Sequence, residues 1–88
     1  MISKIHIPEH LIKSLKSKKK FSKPIKEKFY WCLDMLVEDS QYPSLRNKTV
    51  KGTTDIWEFS INKNYRCLYR KVGDEIFILA IAKHEDAF

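Results

Sequence analysis

The chain reads as an α+β fold: a helical hairpin packed on one face of a small antiparallel sheet, in the order β-α-α-β-β-β. Three observations predict it. Apolar residues recur at three- and four-residue steps from Ile25 to Val37, the period of an α-helix with one buried stripe. Three later runs, rich in β-branched and aromatic residues, are separated by the two-residue polar turns Lys63-Asn64 and Gly73-Asp74, the spacing of hairpins. At 88 residues the chain has length for one domain and one modest core.

The elements follow in order. Ile2, Ile5 and Ile7 outline a short first strand, and Pro8, with its φ already helical, opens a helix over residues 8–18. Leu11, Ile12 and Leu15 give that helix a narrow apolar stripe, and Lys18-Lys19-Lys20 close it at the negative end of its dipole. Ser22 is the expected N-cap of a second helix over residues 23–39, with Pro24 in its first turn. Periodicity then stops, and residues 40–55 read as a basic loop punctuated by Tyr42-Pro43-Ser44 and Gly52-Thr53-Thr54. Trp57, Phe59 and Ile61 alternate with Glu58, Ser60 and Asn62, the pattern of a strand with one apolar face. A second strand spans Tyr65–Val72, and a third, Glu75–Lys83, is apolar on both sides and so central. No repeat, low-complexity segment or second domain interrupts this order.

Charge is distributed unevenly. Residues 1–50 hold eleven Lys+Arg against five Asp+Glu, while residues 51–88 hold six of each, so the whole surplus of +6 lies in the helical half. Eight lysines, at positions 13, 16, 18, 19, 20, 23, 26 and 28, exceed what solubility needs and fit attraction to phosphates. Cys32 and Cys67 form no CxxC and read as small buried apolar groups. No apolar run approaches the roughly 20 residues of a membrane span, and the first residues lack a secretory pattern, which predicts a soluble cytoplasmic protein. His6, His10 and His84 lack metal-site spacing, so neither a metal nor another cofactor is expected.

The chemistry-bearing residues gather around the third strand. Its end carries His84-Glu85-Asp86-Ala87-Phe88, and strict alternation sets Ile76, Ile78, Ala80, Ala82 and His84 on one side, with two alanines leaving room beside the imidazole. Arg66, Leu68 and Arg70 share a face of the neighbouring strand. With the helices on the Trp57 side, Glu58, Arg66 and His84 are expected to face one concavity rimmed by residues 46–51; a register slip of one residue reverses the faces. RNA carries its own nucleophile, the 2′-hydroxyl, so its cleavage asks a protein for proton transfer and for cations on the phosphate oxygens. Histidine titrates near neutrality, and arginine presents a fork of donors suited to phosphate. The candidate catalytic residues are therefore His84, Arg66 and Glu58. The candidate RNA-binding residues are Phe88, which would stack on a base, and Lys83, Lys51, Lys48 and Arg46, which would hold phosphates. The competing structural roles are a solvated strand-end histidine, a salt bridge from Arg66 to Glu58 or Asp55, and a Phe88 that only covers the sheet edge.

At Pro43-Ser44-Leu45-Arg46, Val50-Lys51-Gly52, Trp57-Glu58-Phe59, Tyr65-Arg66-Cys67-Leu68-Tyr69 and His84-Glu85-Asp86-Ala87-Phe88, the chain resembles the RelE/ParE superfamily of bacterial toxin–antitoxin systems, especially its RelE, YoeB and YafQ branches. The resemblance covers residues 43–88 in order. It implies a RelE-like fold and a ribosome-dependent endoribonuclease (mRNA interferase) that cuts mRNA and inhibits translation. It also implies a cognate antitoxin as partner, with the ribosome and mRNA as targets and operator DNA reached only through the antitoxin. The family's strand arginine falls on Arg66, its C-terminal histidine on His84, and the terminal aromatic of the YafQ-like ending on Phe88. Where RelE has a pair of strand lysines, this chain has Glu58 and Ser60. Two alternatives stay open: a ParE-like DNA gyrase poison without RNase activity, and a decayed toxin acting only as an antitoxin-binding corepressor.

Overall fold

The computed structural model describes residues 2–17 and 19–83. Two helices, α1 (Glu9–Lys16) and α2 (Lys23–Glu38), cover one face of a five-stranded sheet built from β1 (Lys4–His6), β2 (Lys48–Thr49), β3 (Ile56–Ser60), β4 (Tyr65–Val72) and β5 (Glu75–Lys83). Spatial order is β1-β5-β4-β3-β2, antiparallel except for β1, which runs parallel to β5 with Ile5 opposite Ile76. The predicted α+β order is thus found, with β5 inside the sheet as its double-sided apolar run implied.

Burial explains the layering. Leu11 and Leu15 of α1 and Phe29, Cys32, Leu33 and Leu36 of α2 meet Phe59, Ile61, Cys67, Tyr69, Ile76 and Ile78 of the sheet. Phe29 lies over Phe59 with ring centroids 6.4 Å apart, and Phe59 lies 5.9 Å from Tyr69. Each such side chain contributes about 1.5–3 kcal/mol relative to exposure, so the aromatic column holds the two layers together. At the far edge, His6 stacks on Phe77 at 4.3 Å and its Nε2 lies 2.7 Å from Glu75 Oε1, tying β1 to β5.

Four details differ from the sequence reading. The 40–55 segment is not all loop: it holds a 3-10 turn at Pro43–Leu45 and the edge strand β2, with Lys48 opposite Glu58 and Thr49 opposite Trp57. A two-residue strand exposed on both faces leaves no alternation to read. Strict alternation along β5 also fails, because a bulge sets Leu68 opposite Ala80 but Tyr69 opposite Ile78, leaving Leu79 over. Ile76 and Ile78 therefore sit under the helices, while Ala80 and Ala82 share the opposite face with Leu68 and Arg66. Ser22 occupies the N-cap of α2, but its hydroxyl makes no capping bond; its carbonyl accepts the Lys26 N–H at 3.1 Å. Finally, α1 ends at Lys16, and Lys18 lies outside the described residues.

The β4–β5 hairpin turns on Gly73, whose φ of +61° is open to glycine and strained for other residues. The neighbouring Asp74 carbonyl accepts the Ser3 N–H at 2.7 Å, which fixes the start of β1 against that turn.

Candidate functional site

The β3–β4 turn is built by Asn62, whose Oδ1 accepts the backbone N–H groups of Asn64 and Tyr65 at 2.8 and 2.9 Å. This Asx geometry brings Ser60 and Arg66 opposite each other across the two strands. Arg66 Nη1 donates to Ser60 Oγ at 2.8 Å and to the Asn62 carbonyl at 3.3 Å. Neither expected salt bridge forms, because Asp55 pairs with Arg70 at 3.1 Å and Glu58 with Lys48 at 3.5 Å. Among the described residues Arg66 has no carboxylate partner, and its charge is held in place by neutral acceptors alone.

Arg66 opens onto a hollow of about 410 Å³ that also receives Lys28 of α2, Arg46, Lys63 and the hydroxyls of Ser44 and Ser60. Four elements thus deliver four cations to one place and, among the described residues, no acid. Arg46 is held there by its backbone: it follows the 3-10 turn with φ 49° and ψ 42°, left-handed values that side chains other than glycine adopt at a cost. Leu45, fully buried beside it, anchors the turn against the core and sustains that conformation. An arrangement of arginine forks, ammonium groups and hydroxyls without a competing carboxylate suits a phosphate-bearing ligand.

The other expected residues are placed differently. Glu58 shares the face of Arg66 but lies opposite Leu68 and Lys48, and its side chain is only 1% exposed. Its Oε1 meets Lys48, and among the described residues its Oε2 has no hydrogen-bond partner and the hollow's lining does not include it. Lys51 is exposed in the turn after β2, and Lys83 is exposed at the end of β5 opposite Tyr65. His84 and Phe88 lie outside the described residues. Of the nominated set, the structure brings together Arg66 and Arg46. It adds Lys28 and Lys63, which the sequence presented only as one of many helical lysines and as a turn residue. The hints were the place of Lys28 among the eight lysines that fit attraction to phosphates and that of Lys63 beside Asn62 in the β3–β4 turn.

Both cysteines are free and buried behind this site. Burial pushes the Cys32 thiol up to about 11 despite nearby Lys28, and pushes Cys67 well above its ordinary 9.0, with Cys32 adding to the effect. Burial also raises the Tyr69 hydroxyl, which the hydrogen bond to Asn47 only partly offsets.

Fold and site together define a two-layer α+β domain with a cationic hollow at the β3–β4 end of its sheet. No protein-family model and no curated protein matches the sequence. Solved structures do match. The YoeB dimer from Staphylococcus aureus superposes with a TM-score of 0.74 at 16% identity, over 96% of this chain and 99% of that one. RelE in the archaeal RelE–RelB complex from Pyrococcus horikoshii OT3 gives 0.73 at 19%, over 94% and 96%. The E. coli DinJ–YafQ complex gives 0.74 at 11%, over 100% and 99%. The chain has the fold of the YoeB, RelE and YafQ toxins, as the resemblance implied.

Proposed function

We propose that this chain is the toxin of a type II toxin–antitoxin system and acts as a metal-independent endoribonuclease that cuts mRNA on the ribosome and inhibits translation. The observation that carries the reading is the hollow in which Arg66 and Arg46 converge with Lys28 and Lys63, with no carboxylate lining it among the described residues. In this reaction the 2′-oxygen attacks the adjacent phosphorus, the P–O5′ bond breaks, and the products are a 2′,3′-cyclic phosphate and a 5′-hydroxyl. The proton leaving the 2′-hydroxyl goes to a base, and an acid returns one to the departing 5′-oxygen.

Arg66 is assigned to the non-bridging phosphate oxygens, where its donors meet charge that builds in the transition state. His84 is assigned to proton transfer, and Phe88 to stacking on a base beside the scissile bond. Arg46, Lys48, Lys51 and Lys83 are assigned to flanking phosphates. Glu58 is assigned a supporting part through Lys48, whose ammonium it holds across β2 and β3. The neighbours RelE and YafQ were solved with the proteins RelB and DinJ, which supports a cognate antitoxin as partner here. Charge complementarity to the +6 chain favours an acidic segment in that antitoxin, with operator DNA reached through it. Among the described residues no helix is long and apolar enough to cross a membrane, and action on ribosomes places the protein in the cytoplasm.

Controlled expression with mapping of transcript 5′ ends tests the reading. Wild type should arrest growth and generate new 5′ ends, and Arg66→Ala and His84→Ala should each lower cleavage about 10²–10³-fold while keeping the urea midpoint. Variants that cut as well as wild type defeat the assignment. Trapped DNA–gyrase complexes without cut transcripts support the gyrase alternative instead.

A further inference from the structure

A second surface adjoins the cationic hollow, and the two share Lys28. On the outer side of α2, Trp31 is 38% exposed, with the Lys28 ammonium 4.1 Å from the centre of its ring. Tyr42, 37% exposed, meets the indole edge-on at 5.7 Å, and a shallow depression lined by Pro24, Glu27, Lys28 and Trp31 lies beside them. Glu27, the acid in this depression, sits 3.9 Å from Lys23. Tyr42 directly precedes the Pro43–Leu45 turn, whose Ser44 and following Arg46 line the hollow. One turn, locked by buried Leu45, therefore sets an aromatic pair on one side and phosphate-directed groups on the other.

We infer that Trp31 and Tyr42 form a stacking platform for a base of single-stranded RNA whose phosphates lie in the Arg46–Lys28–Arg66 hollow. A large indole left in water is costly unless a flat apolar partner covers it, and a nucleobase is such a partner. Charge favours an anionic occupant, because Lys28 lies on the platform, Lys23 lies beside Glu27 and Arg46, Lys63 and Arg66 line the adjoining hollow, and a nucleic acid offers both a flat base for the rings and phosphates for the cations. Lys28 is the link: its ammonium rests on the indole in the free protein and moves onto a phosphate when a base replaces it. The inference rests on the reading of the hollow as an RNA site, and it extends the substrate contact from the sheet onto α2.

The test uses the full chain and a labelled RNA hexamer that is 2′-O-methylated throughout, so that it binds without being cut. Trp31→Ala should weaken hexamer binding about tenfold, within the range for losing one stacked base, and Trp31→Phe should restore most of it. Tripolyphosphate, which has charge but no base, should bind wild type and Trp31→Ala alike, and Arg46→Ala should weaken both ligands. Hexamer binding unchanged in Trp31→Ala, or tripolyphosphate binding lost in parallel with it, overturns the platform. Loss confined to a protein partner overturns it as well. A wild type that holds the hexamer through Trp31 yet leaves unmodified mRNA intact, with or without ribosomes, defeats the nuclease reading and leaves the platform standing. A wild type that cuts mRNA while Trp31→Ala shows unaltered affinity and KM does the reverse.

Discussion

Arg66 stood out in the chain for its strand face and its phosphate-suited fork of donors, and Arg46 for its place in the basic loop expected to rim the site. Lys28 and Lys63 did not stand out, since a long flexible side chain reaches across elements in ways that no periodicity records. Arg46→Asn tests the turn: asparagine tolerates the left-handed backbone, so the urea midpoint should hold while hexamer affinity falls. The Glu58 carboxylate is buried, with one oxygen unpartnered among the described residues and the other beside the Lys48 ammonium. Lys48→Met should cost about 1–3 kcal/mol in urea unfolding, because it leaves that carboxylate buried without this ammonium. The buried thiols, with the Tyr69 hydroxyl, lower stability at alkaline pH. Below about pH 9 both folded and unfolded chains keep Cys32 and Cys67 protonated. Above it the unfolded chain loses thiol protons first, so the native state binds more protons and stability falls as pH rises through about 11. The slope should reach about 1.4 kcal/mol per pH unit for each such group and become shallower in Cys32→Ala, as read from urea midpoints across that range.

Helix α2 and strand β3 were legible because their apolar residues repeat with the period of the element they form, and β4 and β5 because the turns Lys63-Asn64 and Gly73-Asp74 bound their β-branched and aromatic runs. Strand β2 and the β5 bulge were not. Two residues are too few to display a period, and a bulge arises from how two strands settle against each other and not from either strand alone. The bulge matters to the site, since it turns Ala80 and Ala82 to the Arg66 face while Ile76 and Ile78 stay in the core. Ile78→Ala should cost about 2–5 kcal/mol, and Leu79→Ala, at the half-exposed extra position, under about 1 kcal/mol; calorimetry on both checks the bulge. Phe29→Ala, which removes the ring that α2 lays on Phe59, should lie at the upper end, about 3–5 kcal/mol.

The molecule as a whole carries its excess positive charge in residues 1–50 and is charge-balanced over residues 51–88, the segment that forms most of the sheet. RNA affinity should accordingly fall steeply with salt, and replacing one phosphate-contacting residue such as Lys63 should reduce the slope of log K against log salt by about 0.7. Fold class was readable at this scale because one helical stripe and three strand runs leave few ways to close a core. The hollow was only half readable, since it is assembled from pieces distant in the chain. Strand β5 follows every other element in chain order and yet separates β1 from β4. A translation product terminated ahead of Glu75 loses Ile76 and Ile78 from the floor beneath its helices and leaves β1 and the facing edge of β4 unpaired, so quality-control proteases should clear it. Function then depends on reading the message through β5, which makes any early nonsense codon a natural safety catch.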